Sequence, residues 1–209
     1  MRPSLSEIHA PIVIDASVAI NLNGTGNPEA ILEALPNPVI VTDVVLDELR
    51  KDTRADRNDA AKMDTLIERG VVSVAEIASL PGVVFETLVI GSSASTLDDG
   101  EAATIACAVE TGCVVVLDER KGHRICSKEF PSTPIASTVD ILAHPAVEMA
   151  LGRAVLADYV FNALQFSRMR VLSHQIDWVV SLIGNHRANM CQSLPRRVRE
   201  LGANNTAAE

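Results

Sequence analysis

The apolar run Ile12-Val13-Ile14 stops abruptly on a carboxylate, Asp15, which Ala16 and Ser17 follow. A short aliphatic run of this kind suits a strand buried on both faces, as in a parallel sheet. A charged residue closing such a strand emerges at its carboxyl end, where open α/β sheets place their ligands. The device recurs: Cys113-Val114-Val115-Val116-Leu117 is wholly apolar and stops on Asp118. Two buried strands with acidic ends constrain the fold strongly, because their carboxylates meet only if the strands are neighbours.

The remaining pattern alternates strands with helices. Pro38 to Val41 reads as a second buried strand, Val71 to Val74 as a third, Val83 to Ile90 as a fourth of edge type, and Pro134 to Ser137 as a last short one. Helical stretches lie between them: Ser17 to Leu22, Pro28 to Leu35, Thr42 as a cap through Leu49, a polar excursion over 52–69, Leu97 to Val109, and Glu119 to Cys126. From Val147 the pattern is amphipathic and helical to about residue 190, with Ser173 as a cap between two helices. Gly91 to Ser95 reads as a flexible link and residues 200–209 as a disordered tail by composition. Strands and helices at this spacing predict a parallel sheet with helices on both sides.

Composition narrows the function classes. With 47% apolar residues but only 3% aromatic, the core must be built from Val, Ile, Leu and Ala. No run approaches the roughly 18 apolar residues of a membrane span. Residues 1–10 contain Glu7 and His9 and no apolar signal core, so a cytoplasmic protein is expected. The four cysteines, Cys107, Cys113, Cys126 and Cys191, form no CxxC pair and are expected as reduced, mostly buried thiols. The five histidines are scattered and expected mostly at the surface. The net charge of −9 is uneven: residues 151–209 carry seven Arg against four acids. An acidic body argues against a purely electrostatic nucleic-acid binder. It does not exclude a nuclease, because clustered carboxylates need metal cations before a phosphate approaches.

Two further acids stand out. Glu48 follows Val44 and Val45 at helical spacing and is expected to share their inward face. Glu101 opens the helix behind Leu97-Asp98-Asp99-Gly100, with Asp98 or Asp99 as its N-cap. Asp15, Glu48, Glu101 and Asp118 are therefore candidate ligands for Mg²⁺ or Mn²⁺, hard cations that prefer carboxylate and water oxygens. One or two such ions lower the pKa of a bound water and neutralise a leaving oxygen, so no covalent nucleophile is needed. Plainer roles stand beside these: Asp15 as a helix cap, Glu48 paired with Lys51, and Glu101 as the partner in a capping box. Glu119, beside Asp118, is expected to be solvated.

At these residues the chain resembles the PIN-domain nucleases, and among them the VapC-like toxins. The matching pieces are IVIDASVAI, VTDVVLDEL, LDDGEAATIACA and VVVLDERKGHRIC in that order, then PSTPIASTVDIL. A weaker similarity over QFSRMRVLSHQIDWVVSLIG extends the match to about residue 185. The resemblance implies a three-layer α/β/α domain over 11–143 with a central mostly parallel sheet, a C-terminal helical extension over 144–190, and a basic then flexible tail over 191–209. It also implies a Mg²⁺- or Mn²⁺-dependent endoribonuclease that acts on RNA, forms a homodimer and is neutralised by a cognate antitoxin protein.

The resemblance carries over to Asp15, Glu48 and Asp118. Glu101 is the third acid if the chain follows the subgroup with a Gly-Glu motif, with Asp99 and Asp98 as neighbours able to substitute. Ser17 matches a small hydroxyl residue beside the first acid, and Arg124 a position suited to phosphate. Two other readings remain: a catalytically quiet binding module acting through its C-terminal helices, and a phosphatase-type phosphoryl-transfer enzyme. An aspartate nucleophile of the latter kind has a second acid two residues on, where this chain has Ser17.

Overall fold

The computed structural model describes residues 4–51, 58–90 and 96–201. After a 3-10 turn (Leu5–Glu7), its strands and helices in chain order begin with β1 (Ile12–Ile14), α1 (Ala16–Gly24), α2 (Pro28–Glu33), β2 (Val39–Thr42), α3 (Asp43–Lys51), α4 (Asp59–Glu68) and β3 (Val72–Ala75). There follow α5 (Val83–Val89), α6 (Asp99–Thr111), β4 (Val114–Val116), α7 (Arg120–Glu129), β5 (Ile135–Ala136) and α8 (Thr138–Leu142). The chain closes with α9 (Pro145–Leu151), α10 (Arg153–Asn162), a π-helical turn (Ala163–Ser167), α11 (Ile176–Ile183), α12 (Asn185–Met190) and α13 (Arg196–Leu201).

The five strands form one sheet in the order β3-β2-β1-β4-β5, and every pair is parallel. The chain runs outward from β1 through β2 to β3, then returns to the other side of β1 for β4. The reversal falls between β1 and β4, which are in register from Ile12 against Val114 to Ile14 against Val116. That gap is the switch point of the sheet, where the following loops part and leave a crevice.

Side-chain alternation along the central strands feeds two separate cores. Ile12, Ile14, Val39, Val41, Val114 and Val116 join α1, α2, α3 and α4 on one face. Val13, Val115 and Leu117 join α5, α6 and α7 on the other. The helices after residue 144 belong to the first core, to which they add Val147, Leu156, Val160, Leu164, Val179 and Leu182. They complete a helical layer over the sheet. The architecture is a three-layer α/β/α sandwich, and α6 ends where Gly112 takes the left-handed conformation (φ 72°).

Several expectations are corrected. Val83 to Ile90 is not an edge strand: Val83–Val89 is helix α5, whose Leu88 is buried with Val84, Phe85 and Val89 packed beside it. The segment's β-branched residues favour a strand, but apolar groups at 84, 85, 88 and 89 also make a helical stripe, and packing on α6 decides it. Ser173 does not cap α11; Gln175 occupies that position. His144 is buried rather than superficial, and its Nδ1 accepts the Ala146 amide at 3.2 Å as the cap of α9. Thr42 does cap α3, its hydroxyl accepting the Val45 amide at 3.2 Å. The four cysteines are buried free thiols. Residues 52–57 of the polar excursion, the link Gly91 to Ser95 and the tail from 202 lie outside the described residues, while 200 and 201 belong to α13. No described helix is long and apolar enough to cross a membrane.

A central strand that serves the cores tolerates little loss of volume. Ile14→Ala is expected to cost about 2–5 kcal/mol. Val83→Ala, at a side chain 68% exposed, should stay within about 0.5 kcal/mol. Urea unfolding followed by circular dichroism measures both.

Candidate active site

Asp15 leaves β1 with its amide still bonded to Val116 O of β4 at 3.3 Å. Its backbone is extended (φ −83°, ψ 166°) and it caps α1, Oδ2 accepting the Ser17 amide at 3.3 Å and the Ser17 hydroxyl at 2.8 Å. The capping role is therefore real, and it engages one oxygen. Burial pushes the Asp15 carboxyl up to about 6, against the bonds from Ser17 and Ala16, and the charge of Asp98 pushes the same way.

Glu48 approaches from α3. Its helix buries Val45, Leu46 and Leu49 in the sheet core. Glu48 itself lies exposed at the rim rather than on their inward face. It leans over Gly100 in the first turn of α6: a Cβ on Gly100 would run into Glu48 Oε2, and Asp15 Oδ1 lies 3.8 Å from the same point. Two carboxylates from distant segments thus share the space left by one missing methyl group.

Asp98 caps α6, its Oδ1 accepting the Glu101 amide at 2.9 Å. The capping interaction accounts for the Glu101 amide and not for its carboxylate, whose Oε1 is buried without a hydrogen-bond partner among the described residues. That oxygen sits 3.0 Å from where a Cβ on Gly122 of α7 would be. Burial first, then the charges of Asp98, Asp15 and Glu119, raise the Glu101 carboxyl to about 8. Asp99 is exposed at the start of α6. Of the two neighbours, Asp98 is the one whose charge is felt by both Asp15 and Glu101.

Asp118, two residues past β4, is 3% exposed and held by three donors. Asn21 Nδ2 of α1 reaches Oδ2 at 2.7 Å, the Thr138 amide reaches Oδ1 at 2.9 Å, and the Thr138 hydroxyl reaches Oδ2 at 2.5 Å. Burial raises its pKa and these bonds oppose the rise. Asp15 and Asp118 therefore stand at neighbouring strand ends, and α1 bonds to both, through Ser17 and through Asn21. Among the described residues no three Asp, Glu, His or Cys side chains form a ready metal cage. The arrangement is an open acidic rim, with Asp15, Glu48, Asp98 and Glu101 around the first turn of α6 and Asp118 clamped beside it. Glu119 is exposed, as expected, 3.5 Å from Arg170. Arg124 is exposed on α7, where it lines a cavity of about 300 Å³ with Leu88, Ile90 and Lys128.

Asn21, Thr138, Gly100 and Gly122 are site residues that sequence reasoning missed. A glycine in the first turn of a helix, with no turn to make, was a usable signal of close approach. Nothing local marked Asn21 or Thr138.

An unpartnered buried carboxylate oxygen and neighbouring acids that resist ionisation fit a divalent cation, which would restore them to the charged form. The rim lies at the switch point of a parallel α/β/α sheet, where such folds place their ligands. A family model described as a PIN domain matches residues 11–185, and the chain belongs to this family. PIN domains are in general metal-dependent nucleases. No curated protein and no solved structure matches the chain significantly.

Two expectations follow from the rim. Asp15 and Glu101 have raised pKa values, so without metal their contribution to stability is full at low pH and lost as pH rises through about 6 and about 8. Glu101→Gln removes part of that loss. It should melt a few degrees above the parent at pH 8, at about 2–4 °C per kcal/mol for this size, and the gap should close near about pH 5. Gly100→Ala should leave the melting temperature unchanged or higher, since Ala is about 1 kcal/mol better than Gly in a helix. Its methyl group displaces the Glu48 carboxylate, so calorimetric titration should show Mn²⁺ affinity down about 10-fold.

Proposed function

We propose that this chain is a Mg²⁺- or Mn²⁺-dependent endoribonuclease of the VapC-like kind, the toxin of a toxin–antitoxin pair, in the subgroup whose third acid is a glutamate. The observation that carries the reading is the acidic rim itself: Asp15, Glu48 and Glu101 crowd one helix turn, and burial holds Asp15 at about 6 and Glu101 at about 8. A structural role alone gives no reason to gather several acids at a sheet's switch point. The resemblance to VapC-like toxins supports RNA as substrate, and with it a homodimer, a cytoplasmic setting and a protein antitoxin as partner.

A divalent cation bound at the rim would supply an activated water and neutralise charge on the phosphodiester. Asp15 offers Oδ1, because Ser17 engages Oδ2. Glu48, Glu101 and Asp118 complete the ligand set, with Asp98 or Asp99 adding charge. Asn21 and Thr138 hold Asp118 in one orientation, so that its carboxylate faces the rim from the end of β4. Few protein ligands suffice, since Mg²⁺ keeps several of its waters. Arg124 meets an RNA phosphate from α7, and the basic residues Arg196, Arg197 and Arg199 meet an acidic partner.

The test is cleavage of labelled RNA by the purified chain. EDTA and Asp15→Asn are each expected to reduce cleavage by about 100-fold or more. Undiminished cleavage in both would overturn the assignment. A parent protein without saturable Mn²⁺ binding would favour a catalytically quiet module.

A further inference from the structure

Gln175 stands at the N-terminus of α11 and is 5% exposed, yet its side chain does not cap that helix. Its Nε2 donates to Ser137 Oγ at 2.7 Å and to Asp140 Oδ1 at 3.0 Å, and its Oε1 accepts the Leu172 amide at 3.2 Å. Ser137 and Asp140 form the capping box of α8. The Ser137 amide and hydroxyl both donate to Asp140 Oδ2 at 2.8 Å, and the Asp140 amide returns a bond to Ser137 Oγ at 3.4 Å. Thr138 lies between them, completely buried, and supplies two of the three donors to Asp118. A chain of buried and part-buried hydrogen bonds therefore runs from the C-terminal helices through the β5–α8 turn to one of the strand-end acids.

The chemistry of each link selects the residue. The Asp140 carboxylate only accepts, and the Ser137 hydroxyl already spends its one hydrogen on it. The turn therefore needs a partner with two hydrogens to give and one lone pair for Leu172, which describes a primary amide. A glutamate there would place a second carboxylate against Asp140, with nothing to donate.

We propose that Gln175 is a positioning residue of the active site: it clamps the β5–α8 turn so that the Thr138 amide and hydroxyl hold Asp118 in one orientation. The proposal rests on the reading of Asp118 as an acid of a metal site, and it makes the C-terminal helices part of that site's support rather than a cover alone. Partners behind ligand groups typically change metal affinity about 10–100-fold when removed.

The experiment compares the parent chain, Gln175→Glu, and the double variant Gln175→Glu/Asp140→Asn, in which the new asparagine donates to the new glutamate. Mn²⁺ affinity is read by calorimetry and the exchange rate of the Thr138 amide by NMR. Gln175→Glu should weaken Mn²⁺ binding about 10-fold and speed Thr138 exchange, and the double variant should recover both. Gln175→Met, apolar and of similar shape, replaces the single variant if that does not fold. A folded single variant with unchanged Mn²⁺ affinity and unchanged Thr138 exchange overturns the proposal, as does a double variant that recovers neither. A parent chain that binds no Mn²⁺ refutes the metal reading, and Thr138 exchange then decides the role of Gln175 alone.

Discussion

Desolvation of Asp15 is the constraint on which the rest of the structure depends. The sheet carries this side chain to the end of its innermost strand, where only 4% of its surface remains exposed. Water no longer stabilises the charge there, and the Ser17 bonds compensate in part. Neighbouring elements then add further acids, Glu48 from α3 and Asp98 and Glu101 from the start of α6, while Lys121 of α7 offsets part of the charge at Glu101. The parallel sheet tolerates this opposition because two aliphatic cores, one on each face, hold β1 in place regardless of the charge at its end.

Much of this was legible in the sequence, and the reason is periodicity. Short aliphatic runs ending on Asp15 and Asp118 identify buried parallel strands, because solvent-facing antiparallel strands alternate in polarity. The Ser/Thr/Asp signals before helices held at Thr42 and Asp98, where the side chain does accept a backbone amide. The misreading of Val83 to Val89 has a local cause: its residues satisfy both periods at once, and only the surface of α6 chooses between them. Glu48 illustrates a harder limit. Its helix was plain, but the direction of its side chain depends on how α3 crosses α6, and crossing angles are tertiary. Asn21 and Thr138 were invisible for the same reason, since each serves a residue about 97 or 20 positions away.

The C-terminal helices show how an appended segment becomes inseparable from a sheet. Apolar residues such as Leu156, Val160 and Val179 enter the same core as β1 and β4. Polar contacts add direction: the Ser167 hydroxyl reaches Ile20 O at 3.0 Å, and Asn162 Nδ2 reaches Thr25 O at 3.1 Å. Hydrophobic contact alone would let these helices slide over the layer beneath, whereas hydrogen bonds to fixed carbonyls set their register.

The strand order carries one more implication. Because β1 sits in the middle, its partners on either side come from opposite halves of the chain: β2 and Glu48 before residue 52, β4 and Glu101 after residue 95. The acidic rim is a seam between these halves. Neither half of the chain alone carries the whole set of carboxylates, so the rim comes into being only when the polypeptide has closed on itself.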